Sequence, residues 1–299
     1  MLKLRLVSML LTAAALVSLA WQRPTQTTLG ALKQPPIVSA TEAPPGTETL
    51  AVKWIRVAVP DRGVMLAAVA RPSGAGPFPV VLVLHGTHGF ARQYVQLAKD
   101  LARAGFLAVA GCWFSGAENP NNPRGASGSG AGVNAVSAPI PCPEVPPLGP
   151  GAYEEGLQYI DALVQAARAL PGARPDRFAL VGHSRGGGAS LQYVLAIGNV
   201  QAIILHDAGH ALRPVTRAAE FKTPILIMHG TADGPAGGGS ANTDVALARD
   251  FEAALRRNGK SVEANYYEGG GHNTFFTNPA QRDDEVKRMI SFLRRYLGT

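Results

Sequence analysis

Along the chain, the spacing of hydrophobic residues switches repeatedly between strand-like and helix-like from about residue 52 to the carboxyl end. Trp54–Val59 and Val64–Ala70 alternate or run apolar around Asp61-Arg62-Gly63, a turn signal, and predict two neighbouring strands. Pro79–Leu84 reads P-V-V-L-V-L, the continuous apolar run expected of a parallel strand covered on both faces. A helix over Tyr94–Ala104 and a strand over Phe106–Ala110 follow. Tyr153–Leu170 puts Leu157, Ile160, Leu163, Val164 and Ala167 on one helical face. Strand Phe178–Gly182 then leads to helix Gly186–Ile197. Strands Ala202–Leu205 and Ile225–Met228 lead to helix Thr243–Asn258, and strand Val262–Tyr267 to a closing helix over Asp283–Leu297. Strands alternating with helices predict an α/β fold, a mostly parallel sheet with helices on both faces.

Three stretches break this rhythm. Residues 1–20 carry Lys3 and Arg5, then an apolar run to Ala20, with small residues at Ser18 and Ala20. They read as a signal peptide, so the protein is expected to be exported, periplasmic or secreted. Residues 21–50 hold Pro24, Pro35, Pro36, Pro44 and Pro45 among many threonines and show no hydrophobic period, as a linker would. Residues 51–299 are then one catalytic-sized domain. Inside it, residues 115–151 are rich in Gly, Pro, Ser and Asn and too long for an ordinary connection.

Composition narrows the classes. The chain is 46% hydrophobic and 16% charged, a globular balance. No apolar run reaches the roughly 18–20 residues of a spanning helix, so no stable span is expected once the signal peptide is removed. The net charge of +7 is scattered. The small cluster of Lys287, Arg288, Arg294 and Arg295 reads as a solvated helix face, and nucleic acid is not an expected partner. Two cysteines are too few for a cysteine-built zinc site. Cys112 ends the strand before the long loop and Cys142 lies near the loop's far end, so in an oxidising compartment a disulfide would staple that segment to the sheet.

The chemistry centres on Gly182-His183-Ser184-Arg185-Gly186, between an apolar strand and a glycine-led helix. Strand, sharp turn and helix are the context of a nucleophile elbow, where crowding excludes side chains at 182 and 186 and lifts the serine hydroxyl above the sheet. His183 should point away from Ser184 into the elbow. A nucleophilic serine needs an acid and a base, which in this architecture follow it in that order. Asp233 lies just past strand Ile225–Met228, with Asp207, after strand Ala202–Leu205, as the alternative acid. His272, in the glycine-flanked loop after Val262–Tyr267, is the expected base. His206, His210 and His229 flank strand ends without the spacing of a helical metal motif, and no metal is expected. The oxyanion hole would take one backbone N–H from Arg185 and one from Thr87, with His88 as the alternative, in His85-Gly86-Thr87-His88-Gly89. Trp113, Phe114, Phe275 and Phe276 adjoin strand ends or the base loop. With His88, Trp113, Phe114 and Phe275 are the candidate substrate contacts.

His85-Gly86 after the third main strand, G-H-S-R-G-G-G, Asp233 in H-G-T-A-D and His272 in G-G-G-H together resemble the α/β-hydrolase family over about residues 52–298. Within it the chain is most similar to the dienelactone-hydrolase-like branch, which includes cutinase-like and chlorophyllase-like esterases. Dienelactone hydrolases proper use a cysteine nucleophile, whereas this chain has Ser184, which favours ordinary esters. The resemblance implies the α/β-hydrolase fold and a cofactor-free serine esterase, a monomer acting on a small-molecule or polymeric ester. A serine peptidase on the same fold and a non-catalytic binding protein are the alternatives.

Overall fold

The computed structural model describes residues 34–115, 118–119, 122–123, 140–142, 144–145, 153–211 and 213–298. The expected signal peptide, the first part of the expected linker and most of the 115–151 loop lie outside the described residues.

Among the described residues the central sheet has nine strands: β1 (Ile37–Thr41), β2 (Lys53–Val59), β3 (Gly63–Ala70), β4 (Phe78–Leu84), β5 (Leu107–Gly111), β6 (Ala173–His183), β7 (Ala202–His206), β8 (Ile225–Gly230) and β9 (Val262–Tyr267). Their order across the sheet is β1-β2-β3-β5-β4-β6-β7-β8-β9. The pairs β1–β2, β2–β3 and β3–β5 are antiparallel, and every pair from β5–β4 onward is parallel. All residues of β5, β7 and β8 are buried, the consequence of runs that are apolar on both faces.

The linker reading of residues 21–50 needs correction at its far end. Ile37–Thr41 is an edge strand, with Ile37 opposite Ala58 and Thr41 opposite Trp54. Pro35 and Pro36 stand just before it, where a missing N–H disturbs no ladder. Ile37 and Val38 remain exposed, so this strand carries no period that would betray it.

The helices are α1 (Arg92–Arg103), α2 (Tyr153–Arg168), α3 (Arg185–Ala196), α4 (Val245–Arg257), the short α5 (Thr274–Thr277) and α6 (Pro279–Leu297). Helix α1 buries Tyr94, Val95, Leu97, Ala98, Leu101 and Ala102, a stripe at helical spacing. It packs beside α6, and α2 packs beside α3. Helix α6 starts a turn earlier than its apolar period suggests. The Asn278 side chain accepts a hydrogen bond from the Gln281 N–H at 3.2 Å, and Pro279 occupies the first turn. Among the described residues, no helix is long and apolar enough to cross a membrane.

A disulfide joins Cys112 to Cys142. The segment around Cys142 is fastened to the domain elsewhere too. The Ile140 N–H donates to the Phe90 carbonyl at 2.6 Å, the Val64 N–H to the Glu144 carbonyl at 3.3 Å, and Arg56 pairs with the Glu144 carboxylate at 2.6 Å.

Candidate active site

The carboxyl ends of β6, β7, β8 and β9 lie side by side, and each leads into a polar residue. Ser184 follows β6 with φ 55° and ψ −120°, a left-handed conformation unusual for a residue with a side chain. Four backbone hydrogen bonds hold it there. Its N–H donates to the His206 carbonyl at 3.0 Å, and its carbonyl accepts from Gly187 at 3.0 Å, Gly188 at 3.3 Å and Gly209 at 2.8 Å. A Cβ at Gly182 would run into the Gly186 carbonyl, and one at Gly186 into the carbonyls of Leu84 and His85. These obstacles are backbone and cannot swing aside. Gly182→Ala is therefore expected to destabilise the fold by about 3 kcal/mol or more. Urea unfolding would show this, and an unchanged midpoint would contradict so close an approach.

His272 arrives from the glycine-rich loop after β9. Its N–H donates to the Gly237 carbonyl at 3.0 Å, and Gly270 packs so tightly on Gly230 that a Cβ at 230 would overlap the Gly270 carbonyl. The ring bridges two partners. Nε2 lies 2.9 Å from Ser184 Oγ, and Nδ1 lies 2.9 Å from Asp233 Oδ2. With Nδ1–H donating to the carboxylate, Nε2 is left to accept the serine proton. All three residues are buried.

Asp233 also accepts from the Thr243 hydroxyl at 3.1 Å through Oδ1, while Oδ2 lies 3.1 Å from His229 Nε2. Burial works against its charge, but the hydrogen bonds from His229 and His272 outweigh burial and hold the carboxyl below its ordinary range. His229 Nε2 also donates to the Thr243 carbonyl at 2.8 Å, which fixes its proton on that nitrogen.

His183 points away from the serine hydroxyl. Its Nε2–H donates to the His272 carbonyl at 3.3 Å, and its Nδ1 accepts from the Tyr94 hydroxyl at 2.9 Å. Tyr94 in turn accepts from the Gly86 N–H at 3.0 Å, so one phenol ties the β4 loop to the elbow, and His183 carries the link on to the histidine loop. Burial keeps the His183 imidazole neutral, far below its ordinary pKa. Tyr94 had no sequence signal beyond its place on the buried stripe of α1.

The two expected oxyanion donors lie on α3 and in the loop after β4. Arg185 opens α3. Thr87 lies in a turn closed by the Gly89 N–H donating to the Gly86 carbonyl at 3.1 Å. This turn abuts the serine, since a Cβ at Gly86 would lie 2.9 Å from Ser184 Cβ. His88 stacks on Tyr94 with ring centroids 5.5 Å apart, and burial pushes its pKa down to about 4.

The aromatic candidates are packed inward. Trp113 and Phe114 are buried; the Trp113 indole N–H donates to the His85 carbonyl at 3.2 Å, and Phe114 packs on the His85 ring. The Arg185 guanidinium lies over Phe114, 4.8 Å from the ring centroid. Phe275 is buried on the His206 ring. As arranged, all three pack against the domain's own side chains. Of the three remaining histidines, His210 and His229 stack with ring centroids 6.5 Å apart, and His206 stands apart from them on Phe275. His206 Nε2 lies 2.7 Å from Glu285 Oε2, His229 Nε2 faces Asp233, and His210 packs on Phe251.

Comparison with known proteins gives the chain a family and a fold. A Bradyrhizobium protein described as a probable 2-oxo-3-(5-oxofuran-2-ylidene)propanoate lactonase is 26% identical over 238 residues, covering 76% of this chain and 85% of that protein. The solved dienelactone hydrolase of Anabaena variabilis superposes with a TM-score of 0.56 at 16% identity, covering 88% of this chain and all of that one. An esterase of Pyrococcus furiosus superposes with a TM-score of 0.60 at 12% identity, covering 89% of this chain and all of that one. These two structures share the α/β-hydrolase fold. The dienelactone hydrolase family model matches residues 65–297, from within β3 to the last residue of α6. Every strand end that carries the candidate site falls inside that match, and the chain belongs to the dienelactone hydrolase family.

Proposed function

We propose that this hydrolase is an exported serine esterase, cleaving carboxylic esters through an acyl-serine intermediate. One observation carries the reading: the unbroken chain from Ser184 Oγ to His272 Nε2 at 2.9 Å and from His272 Nδ1 to Asp233 Oδ2 at 2.9 Å, at the amino end of α3. In the acylation step, Ser184 Oγ attacks the ester carbonyl as His272 Nε2 takes its proton. The amides of Arg185 and Thr87 receive the developing oxyanion, helped by the dipole of α3. His272 then returns the proton to the leaving alcohol, freeing it and leaving the acyl group on Ser184. Water, deprotonated by the same imidazole, attacks the acyl-enzyme, and the imidazolium returns that proton to Ser184 Oγ as its bond to the acyl group breaks and the acid leaves. Asp233 keeps the proton on Nδ1 throughout.

The oxygen nucleophile directs the reading toward ordinary small-molecule or polymeric esters. The Cys112–Cys142 disulfide is in keeping with export to an oxidising compartment. The test is hydrolysis of p-nitrophenyl esters from short to long acyl chains, with an alkyl fluorophosphonate as a covalent probe. Turnover is expected together with a single adduct on the Ser184 peptide. Folded protein that neither turns over esters nor takes up the probe would overturn the proposal.

A further inference from the structure

Asp207 is a buried carboxylic acid for which the proposed mechanism has no use. It follows β7, is only 2% exposed, and holds φ at 43°, in the left-handed region that a residue with a side chain rarely enters. Its backbone N–H donates to the Met228 carbonyl at 2.9 Å, and its Oδ1 accepts the Gly230 N–H at 2.9 Å. These bonds fix the carboxyl group beneath the candidate triad. One carboxylate oxygen of Asp207, one of Asp233 and a ring nitrogen of His272 all lie within 4.8 Å of one another.

Two carboxyl groups so close in a buried place repel each other and lose hydration, and an apolar residue at 207 would avoid both penalties. The surroundings compensate for them. His206 stands 3.7 Å from Asp207 Oδ2 on one side and 2.7 Å from Glu285 Oε2 of α6 on the other. His229 and His272 face the same carboxyl group from β8 and from the loop after β9, and Asp233 is the remaining charged neighbour. Burial nonetheless pushes the Asp207 carboxyl up, whereas the hydrogen bonds from His229 and His272 hold Asp233 down.

We propose that Asp207 is a second positioning acid for His272, so that the imidazole is served by carboxylates from two adjacent strand ends and keeps its orientation when Asp233 is lost. The inference rests on the serine-esterase reading. When Asp233 is replaced, its repulsion disappears. Asp207 then ionises more readily and takes up the Nδ1–H.

The experiment compares wild type with Asp233→Ala, Asp207→Asn and the double variant, reading kcat, KM and the pH profile of kcat/KM on a p-nitrophenyl ester. Asparagine keeps an oxygen for the Gly230 N–H. Asp233→Ala is expected to lose only about 10- to 100-fold in kcat, against the roughly 10⁴-fold typical of a triad whose imidazole is no longer oriented. Asp207→Asn alone should lower kcat about three- to tenfold. The double variant should fall by about 10⁴-fold, more than the product of the single losses, with KM unchanged. Its acid limb should also lie at lower pH than that of Asp233→Ala, because the last carboxylate that favours the imidazolium is gone; a purely structural role would not move it. A 10⁴-fold loss in Asp233→Ala alone, not deepened in the double variant, overturns the inference, and that single variant decides the matter even if Asp207→Asn does not fold. Ser184→Ala separates the two levels: if it stays active, the serine-esterase reading itself fails.

Discussion

Ser184→Ala is expected to lower kcat for ester hydrolysis by about 10⁴- to 10⁶-fold with little change in KM, because the serine oxygen forms a bond to substrate that no neighbour can replace. His272→Ala should lose about as much, since without the imidazole the hydroxyl keeps its proton. The double variant should be no worse than either single one. Residues that act as one unit give losses that do not multiply, whereas two independent contributions would. Both replacements are expected to fold. The elbow is held by backbone hydrogen bonds to His206, Gly187 and Gly209, and His272 is anchored through its own N–H to Gly237. Steady-state kinetics and thermal unfolding of the three variants check this. Retention of a tenth or more of wild-type kcat in Ser184→Ala would move the nucleophile elsewhere.

The second large effect concerns stability in acid. His85 and His210 are buried, and burial pushes both down to a pKa of about 3. Neither ring nitrogen of His210 has a protein partner, and His85 packs among Phe90, Tyr94, Trp113 and Phe114. A folded pKa below the unfolded value of 6.5 means that the unfolded chain binds protons first as pH falls. Stability is therefore lost progressively below pH 6.5. At about 1.4 kcal/mol per pH unit, each of the two costs about 3 kcal/mol at pH 4. Together that is a large part of the 5–15 kcal/mol that holds a typical domain, to the extent of about half. His206 acts with the opposite sign. Burial alone would lower it, but Asp207 and Glu285 outweigh burial and raise it to about 9. Its contribution is complete below about pH 6.5 and is lost as pH rises through about 9. The melting temperature should therefore be highest between about pH 6.5 and 8.5 and fall steeply on the acid side. His210→Leu should flatten the acid slope. A melting temperature that is level from pH 7 to 4 would show that these imidazoles are not held neutral.

Much of the candidate site was legible because each of its parts announces itself locally. The elbow needs glycines at 182 and 186, a strand before and a helix after. Asp233 and His272 follow apolar runs that end in glycine-rich turns, and the order serine, acid, base is a property of the chain. What stayed hidden depends on neighbours across space. Residues 37–41 form a strand only because β2 presents an open edge to them. Trp113, Phe114 and Phe275 are equally apolar whether they line a cleft or fill a core. Glu285 reads as one more polar residue on α6, yet it is buried against His206. Asp207 likewise remained as an alternative to the expected Asp233, since both follow strand ends.

The alternation of strand and helix periods, the elbow and the order of the three polar residues were determined by the sequence alone, because the steric demands of a turn and the period of a buried face act over a few neighbouring residues. The tertiary structure decided which acid faces His272 at 2.9 Å, which histidines are neutral, and that Tyr94 joins the β4 loop to the elbow. These outcomes depend on the lateral packing of β4 and β6 to β9 and on the burial it imposes. Distances and desolvation are properties of the assembled sheet, and no short stretch of the chain encodes them.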